Sequence, residues 1–354
     1  MIKNEYNVIG VMSGTSLDGI DLVYVKFHLD TTWHFDIIQA ETVSYNKIWL
    51  DKLSRLVSYN MEELKSVDKE YTYLLADTIK AFIAKHQIKA IDAICSHGHT
   101  ALHQPERKIT YQIGNMPIIS NLLEQTVVCD FRVQDVELGG QGAPLVPIGD
   151  ELLFSEYDFC LNLGGFANTS TSLNNERIAY DICPVNIVLN HYVKQLGHNY
   201  DDKGLIALRG KVDEKLLSRL NNLEFYKQPY PKSLGLEWVT KTVFPLIDAF
   251  GLHVPDILKT FCEHIAIQIS KEIHIENKSS VLVTGGGAYN DYLVGRIKSH
   301  SKCNIVIPTK TIVEFKEALI FALLGVLKLR NETNCLKSVT GASKNHSSGN
   351  KFYP

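Results

Sequence analysis

The sequence has no paired cysteines, no long apolar run and little net charge, and each of these absences excludes a class of protein. The seven cysteines stand singly in apolar surroundings, without the C-x-x-C spacing of zinc or redox motifs, so we expect buried free thiols. His97, His99 and His103 are spaced like metal ligands, but no second cluster of Cys or His stands near them in the sequence. We therefore assign no metal ligands.

No segment approaches the ~20 apolar residues of a membrane-spanning helix, and the apolar run at the start is too short for a secretory signal. The formal net charge of -3 supplies no general attraction for nucleic acid or anionic lipid. These absences favour a cytoplasmic enzyme that acts on a small molecule, and neither a nucleic acid nor a membrane is expected as a partner.

What the sequence does have is enough length for more than one core. Its 354 residues exceed the roughly 250–300 residues at which a single hydrophobic core stops growing, so two lobes with a cleft between them are expected. No low-complexity linker is present, which predicts a compact crossing near residue 150. We expect a first lobe of residues 1–148 with the tail 331–354, and a second lobe of residues 149–330.

A repeated pattern supports this division, because a strand, a glycine turn and two further strands occur once in each half. The first copy comprises residues 6–12, 13–19, 20–27 and 35–40, and the second comprises 159–163, 164–168, 169–172 and 178–182. Other strands are predicted at 90–95, 127–131 and 281–284, and helices at 48–59, 67–88, 185–196, 255–274 and 317–329. The pattern predicts an α/β fold in which two glycine turns bind the same ligand, although so short a repeat can arise by chance.

Residues 10–21 (GVMSGTSLDGID) combine free backbone N–H groups, hydroxyls and glycines in one hairpin turn, which is typical of phosphate binding. The turn is not a Walker A loop, because the G-x-x-x-x-G-K-[ST] pattern is absent and the chain returns into a strand. An ordinary hairpin turn explains the same residues equally well. Asp18 or Asp21 could hold magnesium through water, and a solvated turn carboxylate is an equal alternative for Asp18.

Three other segments have candidate chemistry, each with a structural alternative. Asp181 ends an apolar strand before a proline and a predicted helix, so it fits a general base with a tuned pKa or a helix cap. Residues 285–287 (GGG) are suited to a backbone surface on which a nucleoside lies. Tight packing of a strand against a helix explains the same glycines equally well. Arg132 and Asp135, beside the glycines of 139–142, fit a clamp on a polar ligand or a surface ion pair.

Taken together, these strings resemble the anhydro-N-acetylmuramic acid kinase family, which belongs to the superfamily of acetate and sugar kinases and actin. The resemblance is carried by residues 10–21, 96–100 (SHGHT), 130–135 (DFRVQD), 139–147 (GGQGAPLVP), 162–168 (NLGGFAN) and 284–290 (TGGGAYN). It implies two ribonuclease-H-like (actin-like ATPase) lobes with ATP in the cleft between them. Members of this family use water to open the anhydro bridge of 1,6-anhydro-N-acetylmuramic acid and phosphorylate O6. The product is N-acetylmuramic acid 6-phosphate, formed during cell-wall (peptidoglycan) recycling.

The resemblance also implies residue roles. The catalytic residues would be Asp181, as the base that activates water, and Glu317, as an acidic group that helps to orient it. The ATP-binding residues would be Gly14, Thr15, Ser16, Leu17, Asp18, Gly19, Ile20, Asp21, Gly164, Gly165, Gly285, Gly286 and Gly287. The sugar-binding residues would be Thr100, Arg132, Asp135, Gly140, Gln141 and Gly142. ATP and Mg²⁺ are the expected cofactors, and a homodimer is left open.

One segment departs from the family pattern. Family members usually read Asp-Thr-Gly-Pro-Gly-Asn after the catalytic strand, whereas residues 181–186 read DICPVN here. Cys183 and Val185 replace glycines, which predicts a more restricted approach of a ligand to the backbone. The departure keeps an alternative open, namely a non-catalytic or ATPase-type nucleotide-dependent sensor of the same superfamily.

Overall fold

The computed structural model describes residues 2–273 and 279–354 of the chain. Its contacts divide the chain into two compact units, one of Met1–Leu153 with Phe315–Pro354 and one of Phe154–Glu314. The first boundary lies five residues beyond the expected one. The return to the first unit begins at Phe315, whereas residue 331 is the expected position.

The described chain contains groups of consecutive strands and groups of consecutive helices. The strands are β1 (Glu5–Ser13), β2 (Ile20–Leu29), β3 (Trp33–Val43), β4 (Ala93–Gln104), β5 (Ile109–Ile113), β6 (Val127–Cys129), β7 (Phe159–Leu163), β8 (Phe166–Leu173), β9 (Glu176–Pro184), β10 (Ser280–Thr284), β11 (Asn304–Val306) and β12 (Asn350–Phe352). The α-helices are α1 (Lys47–Ser54), α2 (Met61–Lys85), α3 (Ile118–Leu123), α4 (Val133–Glu137), α5 (Pro147–Leu153), α6 (Asn186–Val193), α7 (Leu205–Arg209), α8 (Glu214–Asn221), α9 (Leu236–Trp238), α10 (Phe244–Asp248), α11 (Val254–Glu272), α12 (Asp291–His300), α13 (Lys310–Leu329) and α14 (Lys337–Thr340).

The sheet of the first unit has the order β12-β6-β4-β1-β2-β3, and β5 pairs with β4. Strands β1, β2 and β3 form an antiparallel meander, while β4 lies parallel to β1 and β6 lies parallel to β4. Parallel neighbours require crossover connections, and α2 lies in the connection that leads to β4.

Helix α2 begins at Met61 because Asn60 caps it. The Asn60 side chain accepts from the N–H groups of Glu62 and Glu63, and the Glu63 carboxylate accepts from the Asn60 N–H, which completes a capping box. The cap explains why the helix starts six residues before the predicted Val67.

Helix α13 packs against the first sheet because small residues allow a close approach. A Cβ on Gly10 of β1 would lie 2.1 Å from the carbonyl oxygen of Ala318, and one on Gly325 would lie 2.1 Å from Sγ of Cys95 in β4. Most side chains from Ala318 onward are buried. This packing explains why residues 315–330 belong to the first unit, although the sequence-based division assigns them to the second.

The sheet of the second unit has the order β11-β10-β7-β8-β9. Strands β7, β8 and β9 form an antiparallel meander, and β10 and β11 continue it as parallel neighbours of β7 and β10. The order repeats that of β6-β4-β1-β2-β3. The topology therefore confirms the α/β class and the prediction of two ribonuclease-H-like units.

The predicted strand at 90–95 also differs from the structure, and the predicted helix at 255–274 ends outside the described residues. Strand β4 does not end at residue 95 but continues to Gln104, because its second half pairs with the unpredicted strand β5. Helix α11 runs over Val254–Glu272, and the last residue of its predicted span, His274, lies outside the described residues.

Six of the seven cysteines are buried free thiols, as predicted, and Cys303 is partly exposed. Within residues 2–273 and 279–354, no helix combines the length and apolar character that a membrane span requires.

Candidate active site

The predicted phosphate turn of the first unit joins β1 to β2. Its backbone reverses at Leu17, which has a left-handed φ of 63° and whose N–H donates to the carbonyl oxygen of Gly14 over 3.3 Å. Gly19 has a φ of 155°, and a Cβ there would lie 2.6 Å from the carbonyl oxygen of Val43, so only glycine fits. The exposed residues of the turn are Thr15, Ser16 and Asp18.

A chain of hydrogen bonds anchors this turn at its first strand. The Ser13 hydroxyl lies 2.6 Å from the Tyr45 hydroxyl and 2.8 Å from Nδ1 of His99, and the Tyr45 hydroxyl lies 2.6 Å from that of Tyr71. Burial lowers the pKa of His99 to about 4, so its ring is neutral at pH 7. Sequence reasoning missed this chain, because its members are far apart in sequence.

The acidic residues beside the turn differ in their surroundings. Asp18 is exposed and has no hydrogen-bond partner among the described residues, whereas Oδ1 of Asp21 accepts from the Thr42 hydroxyl over 2.6 Å. Ile20, between them, is buried in the core. Of the predicted ATP-binding residues in this turn, Asp18 therefore offers the more accessible carboxylate.

Arg132 holds one end of the predicted sugar loop, residues 139–142. Its Nε donates to Nε2 of His97 over 2.8 Å, and its Nη1 donates to the carbonyl oxygen of Gly142 over 2.6 Å. Because a guanidinium can only donate, His97 Nε2 is an acceptor, and Nδ1 carries the proton that it donates to the Gly98 carbonyl over 2.9 Å. Burial and the nearby Arg132 charge lower the pKa of His97 far below its ordinary value, which fixes this neutral tautomer.

Asp135 holds the same loop from inside the protein. It is fully buried, and its Oδ2 accepts from the N–H of Gly142 over 2.7 Å. A Cβ on Gly140 would lie 2.2 Å from this oxygen, so glycine is required there. Gln141 at the loop tip is exposed, and its N–H donates to the carbonyl oxygen of Thr340 over 2.8 Å. The geometry makes Asp135 a support of the loop, with no free carboxylate at the surface.

Glu317 and Thr100 complete the predicted residues of the first unit. The Glu317 side chain is exposed, yet desolvation by the surrounding protein raises its pKa, while Arg132 and Lys316 act in the opposite direction. Thr100 is partly exposed in β4 and pairs with Gln112 of β5.

In the second unit, Gly164 and Gly165 form the tight turn between β7 and β8. The carbonyl oxygens of these glycines accept from the N–H groups of Val185, Asn186 and Ile187 at the start of α6. A Cβ on Gly165 would have one neighbour within 4 Å, the Cβ of Ile187 at 3.9 Å, so this exposed turn leaves room beside its backbone.

Asp181 lies in β9, and a segment more than fifty residues later holds it. Its Oδ2 accepts from the Leu234 N–H over 2.7 Å and from the Ser233 hydroxyl over 3.3 Å. Its own N–H donates to the carbonyl oxygen of Lys232 over 3.0 Å. No described residue donates a hydrogen bond to Oδ1. Burial raises the pKa of this carboxyl, while the Leu234 and Ser233 donors act in the opposite direction.

The segment that holds Asp181 is itself anchored by charge. The buried Lys232 ammonium forms an ion pair with Oε1 of the partly exposed Glu272 at 2.8 Å, and the Tyr180 hydroxyl donates to Oε2 over 3.1 Å. Asp181 thus has one oxygen fixed and one oxygen available, which suits a general base.

Cys183 and Val185, which replace family glycines, are fully buried in the hydrophobic core of the second unit. Their side chains therefore occupy the core. This finding removes the reason to expect that they restrict the approach of a ligand to the backbone.

The three glycines after β10 have different surroundings. A Cβ on Gly285 would lie 2.4 Å from Oδ1 of Asn162, and one on Gly287 would lie 2.7 Å from the Cβ of Leu163, so both permit close packing against β7. Gly286 is exposed, and a Cβ there would meet a single atom, at 3.8 Å. Only Gly286 is thus left free to face a ligand.

Within each unit, the predicted residues gather at one edge of the sheet. In the first unit, this edge is formed by the carboxyl ends of parallel strands. At or close to these ends lie the turn after β1, Thr100 of β4 and Arg132 after β6. In the second unit, the corresponding strand ends are followed by Gly164 after β7 and by Gly285 after β10, and Asp181 lies near the end of β9. This edge is where α/β proteins commonly bind ligands.

The family model and the similar sequences indicate the same family. Residues 6–354 match the sequence model of the family described as AnmK, anhydro-N-acetylmuramic acid kinase. The chain is 33% identical over 363 residues to a protein of Photobacterium profundum named anhydro-N-acetylmuramic acid kinase, covering 95% of each chain. It is 34% identical over 361 residues to a protein of the same name from a Sulfurovum species, covering 97% of this chain and 98% of the relative.

Among solved structures, the chain is similar to a ROK family glucokinase from Streptomyces griseus in complex with glucose and AMPPNP. The TM-score is 0.42 at 11% identity, and the match covers 90% of this chain and 99% of the glucokinase.

Proposed function

The chain belongs to the anhydro-N-acetylmuramic acid kinase family, and we propose that it opens 1,6-anhydro-N-acetylmuramic acid with water and phosphorylates O6 with ATP. The product is N-acetylmuramic acid 6-phosphate, an intermediate of peptidoglycan recycling. The observation that carries this proposal is the environment of Asp181, which has one fixed oxygen, one available oxygen and a raised pKa.

Asp181 starts the reaction as a general base. Its Oδ1 accepts a proton from water, the water oxygen bonds to the anomeric carbon, and the bond from that carbon to O6 breaks. O6 keeps the electrons of that bond and uses them to bond to the γ-phosphorus, while the bond from the γ-phosphorus to the β-phosphate oxygen breaks and ADP leaves with its electrons. The proton passes from Asp181 to solvent. The Leu234 N–H keeps the carboxylate oriented, and this positioning contributes to the rate.

Glu317 and the loop of residues 139–142 act on the sugar side in this proposal. The loop is fixed by Asp135 from inside and by Arg132 at Gly142, so its backbone presents a rigid surface to the sugar. Glu317 is exposed and influenced by the Arg132 charge, which suits an acidic group that orients the water. Thr100 and Gln141 supply further polar contacts.

The two glycine turns act on the nucleotide. Exposed N–H groups and hydroxyls of the turn after β1 fit phosphate oxygens, and the exposed Gly164–Gly165 turn and Gly286 leave backbone free for the rest of ATP. Because Gly285 and Gly287 serve packing against β7, Gly286 is the candidate for a nucleoside contact among the three glycines after β10.

Magnesium fits this turn by the chemistry of its donors. Asp18 offers an exposed carboxylate without a partner among the described residues, and Asp21 stands beside it. Hard cations prefer such oxygens and retain much of their hydration. When bound, the ion neutralises charge on the phosphates. Because ATP is a cytoplasmic cosubstrate, we place the reaction in the cytoplasm.

The test is a product assay with purified full-length protein, ATP, Mg²⁺ and the anhydro sugar. We expect ADP and a 6-phosphorylated sugar in equal amounts, and a loss of about 100-fold or more in Asp181→Asn, as for removal of a general base. Asp202→Asn, an exposed carboxylate in the same unit, is the matched control and should keep wild-type activity. Equal activity in wild type and Asp181→Asn would refute the proposed role of Asp181.

A further inference from the structure

Three side chains with metal-binding atoms meet in the interior of the first unit, away from its exposed turn. Asp135, Cys335 and His346 each offer one such atom, and these atoms lie within 4.8 Å of one another. Sγ of Cys335 is 3.0 Å and Nε2 of His346 is 3.6 Å from Oδ1 of Asp135. The three residues are 0%, 1% and 5% exposed in that order of mention, so solvent does not satisfy them.

The backbone fixes two of these residues as a pair. Cys335 and His346 form an antiparallel bridge in which each N–H donates to the carbonyl oxygen of the other, over 3.1 and 3.2 Å. Asp135 comes from α4, two hundred residues earlier in the chain, and its carboxylate faces this bridge. The convergence therefore depends on tertiary structure.

His346 has an unpaired ring nitrogen that points into the cluster. Its Nδ1 lies 3.1 Å from the carbonyl oxygen of Lys344, and since a carbonyl only accepts, Nδ1 carries the proton. Nε2 of this tautomer then carries no proton and has a free lone pair. It is buried without a hydrogen-bond partner among the described residues and faces a carboxylate oxygen, which is also an acceptor. Oδ1 of Asp135 accepts from the Thr340 hydroxyl and the Cys335 thiol, whereas Nε2 has no donor, so a metal ion that displaced the thiol proton would use the free lone pair of Nε2.

We propose that Asp135, Cys335 and His346 form a structural zinc site that ties the segment 335–346 to the support of the loop 139–142. A thiolate, an imidazole and a carboxylate are ligands that zinc accepts together. Bond lengths of about 2.0–2.3 Å in a tetrahedral site place ligand atoms roughly 3.3–3.6 Å apart, so small side-chain movements suffice. A water molecule would complete the coordination.

The surrounding contacts resemble those that orient metal ligands. The Nδ1–H of His346 donates to a backbone carbonyl, a common arrangement for metal-bound histidine. Asp135 is oriented by the Thr340 hydroxyl at 2.7 Å and by the Gly142 N–H at 2.7 Å, and the latter bond uses the oxygen that does not face His346. The loop contact can therefore persist when the ion binds.

Charge and protons balance in this site. Burial and the Asp135 carboxylate raise the pKa of the Cys335 thiol, so the thiol keeps its proton until a metal displaces it. Binding releases that one proton, and the thiolate and carboxylate then neutralise the two charges of Zn²⁺. The Arg132 guanidinium is close enough to lower the thiol pKa and opposes a cation, which moderates the affinity.

The test uses the metal-stripped full-length chain, with Co²⁺ as a spectroscopic probe and Zn²⁺ in competition with a chromophoric chelator. We expect about one ion per chain and a thiolate-to-cobalt absorption band. Cys335→Ser and His346→Gln should weaken Zn²⁺ binding by more than about 100-fold, because even outer partners of a metal site are worth 10–100-fold. Cys303→Ser, which changes a partly exposed thiol in the second unit, is the control and should bind as wild type.

A wild-type protein without the band, or a Cys335→Ser protein that binds zinc as tightly as wild type, would overturn the proposal. If these variants do not fold, anomalous diffraction at the zinc edge from wild-type crystals grown with zinc decides the question. A peak among the three side chains supports the site. A peak elsewhere, or no peak at all, overturns it.

Discussion

At the scale of single residues, the reactivity of the candidate site depends on Asp181. The sequence identified this residue from its position after an apolar strand, together with the family resemblance. It could not identify Ser233 and Leu234 as its hydrogen-bond partners, because they lie more than fifty residues away and have no pattern of their own. Nor could it separate Gly286 from its neighbours, since only packing distinguishes the three glycines.

The raised pKa of Asp181 predicts a pH dependence. A base acts when deprotonated, so kcat/KM should rise with pH through a value above the ordinary 3.8 of aspartate. Ser233→Ala removes a donor that stabilises the charged carboxylate, so the acid limb should move to higher pH, while activity at pH 7 stays within about twofold. The measurement is a pH profile of kcat/KM, with the exposed Ser218→Ala as control. An acid limb that moves to lower pH in Ser233→Ala would contradict this account.

The glycines after β10 offer a matched pair of substitutions. Gly286→Ala has space for its methyl group, so the free energy of unfolding should change by no more than about 0.5 kcal/mol. The KM for ATP should nevertheless rise about tenfold, if a lost contact is worth about 1.4 kcal/mol. Gly287→Ala meets Leu163 at 2.7 Å and should lower the free energy of unfolding by about 1–3 kcal/mol.

Denaturant titration and ATP kinetics on both variants separate packing from binding. An unchanged KM for ATP in a stable Gly286→Ala protein would show that this glycine does not contact the nucleotide.

At the scale of secondary-structure elements, local patterns predicted most strands and the long helices. They missed the strand residues that are ordered only because a neighbouring strand pairs with them. Strand β4 continues past residue 95 because β5 pairs with its polar half, and polar residues alone predicted a loop there. Helix α13 was predicted to begin at residue 317, and it begins at Lys310. Its place against the first sheet follows from Gly10 of β1 and from Gly325 of the helix itself, and periodicity reveals neither contact.

The packing of α13 against β1 can be tested at Gly10. A methyl group there would lie 2.1 Å from a backbone oxygen of α13, so Gly10→Ala should lower the free energy of unfolding by about 3 kcal/mol or more. Gly295→Ala in α12 is the control, because nothing lies within 4 Å of its Cβ and it should stabilise the protein by about 0.5–1 kcal/mol. Urea unfolding measures both. A Gly10→Ala protein as stable as wild type would mean that α13 does not pack as described.

At the scale of the whole chain, the duplicated strand order was predictable because each copy has the same sequence of strand, glycine turn and two strands. The topology confirms it in both units. The boundary of the second unit was less predictable, since a continuous helix has no marker in its sequence where it enters another core. The sensor alternative loses its motivation, because Cys183 and Val185 are core residues.

The reaction in ¹⁸O-labelled water shows whether Asp181 couples hydrolysis of the anhydro bridge to phosphoryl transfer. We expect one label at the anomeric hydroxyl of the phosphorylated sugar and none in the phosphate. The label at the anomeric hydroxyl should exceed that taken up by unlabelled product kept in the same water. Label in free phosphate without a labelled sugar, or a phosphorylated sugar whose anomeric oxygen is unlabelled, would contradict this coupling.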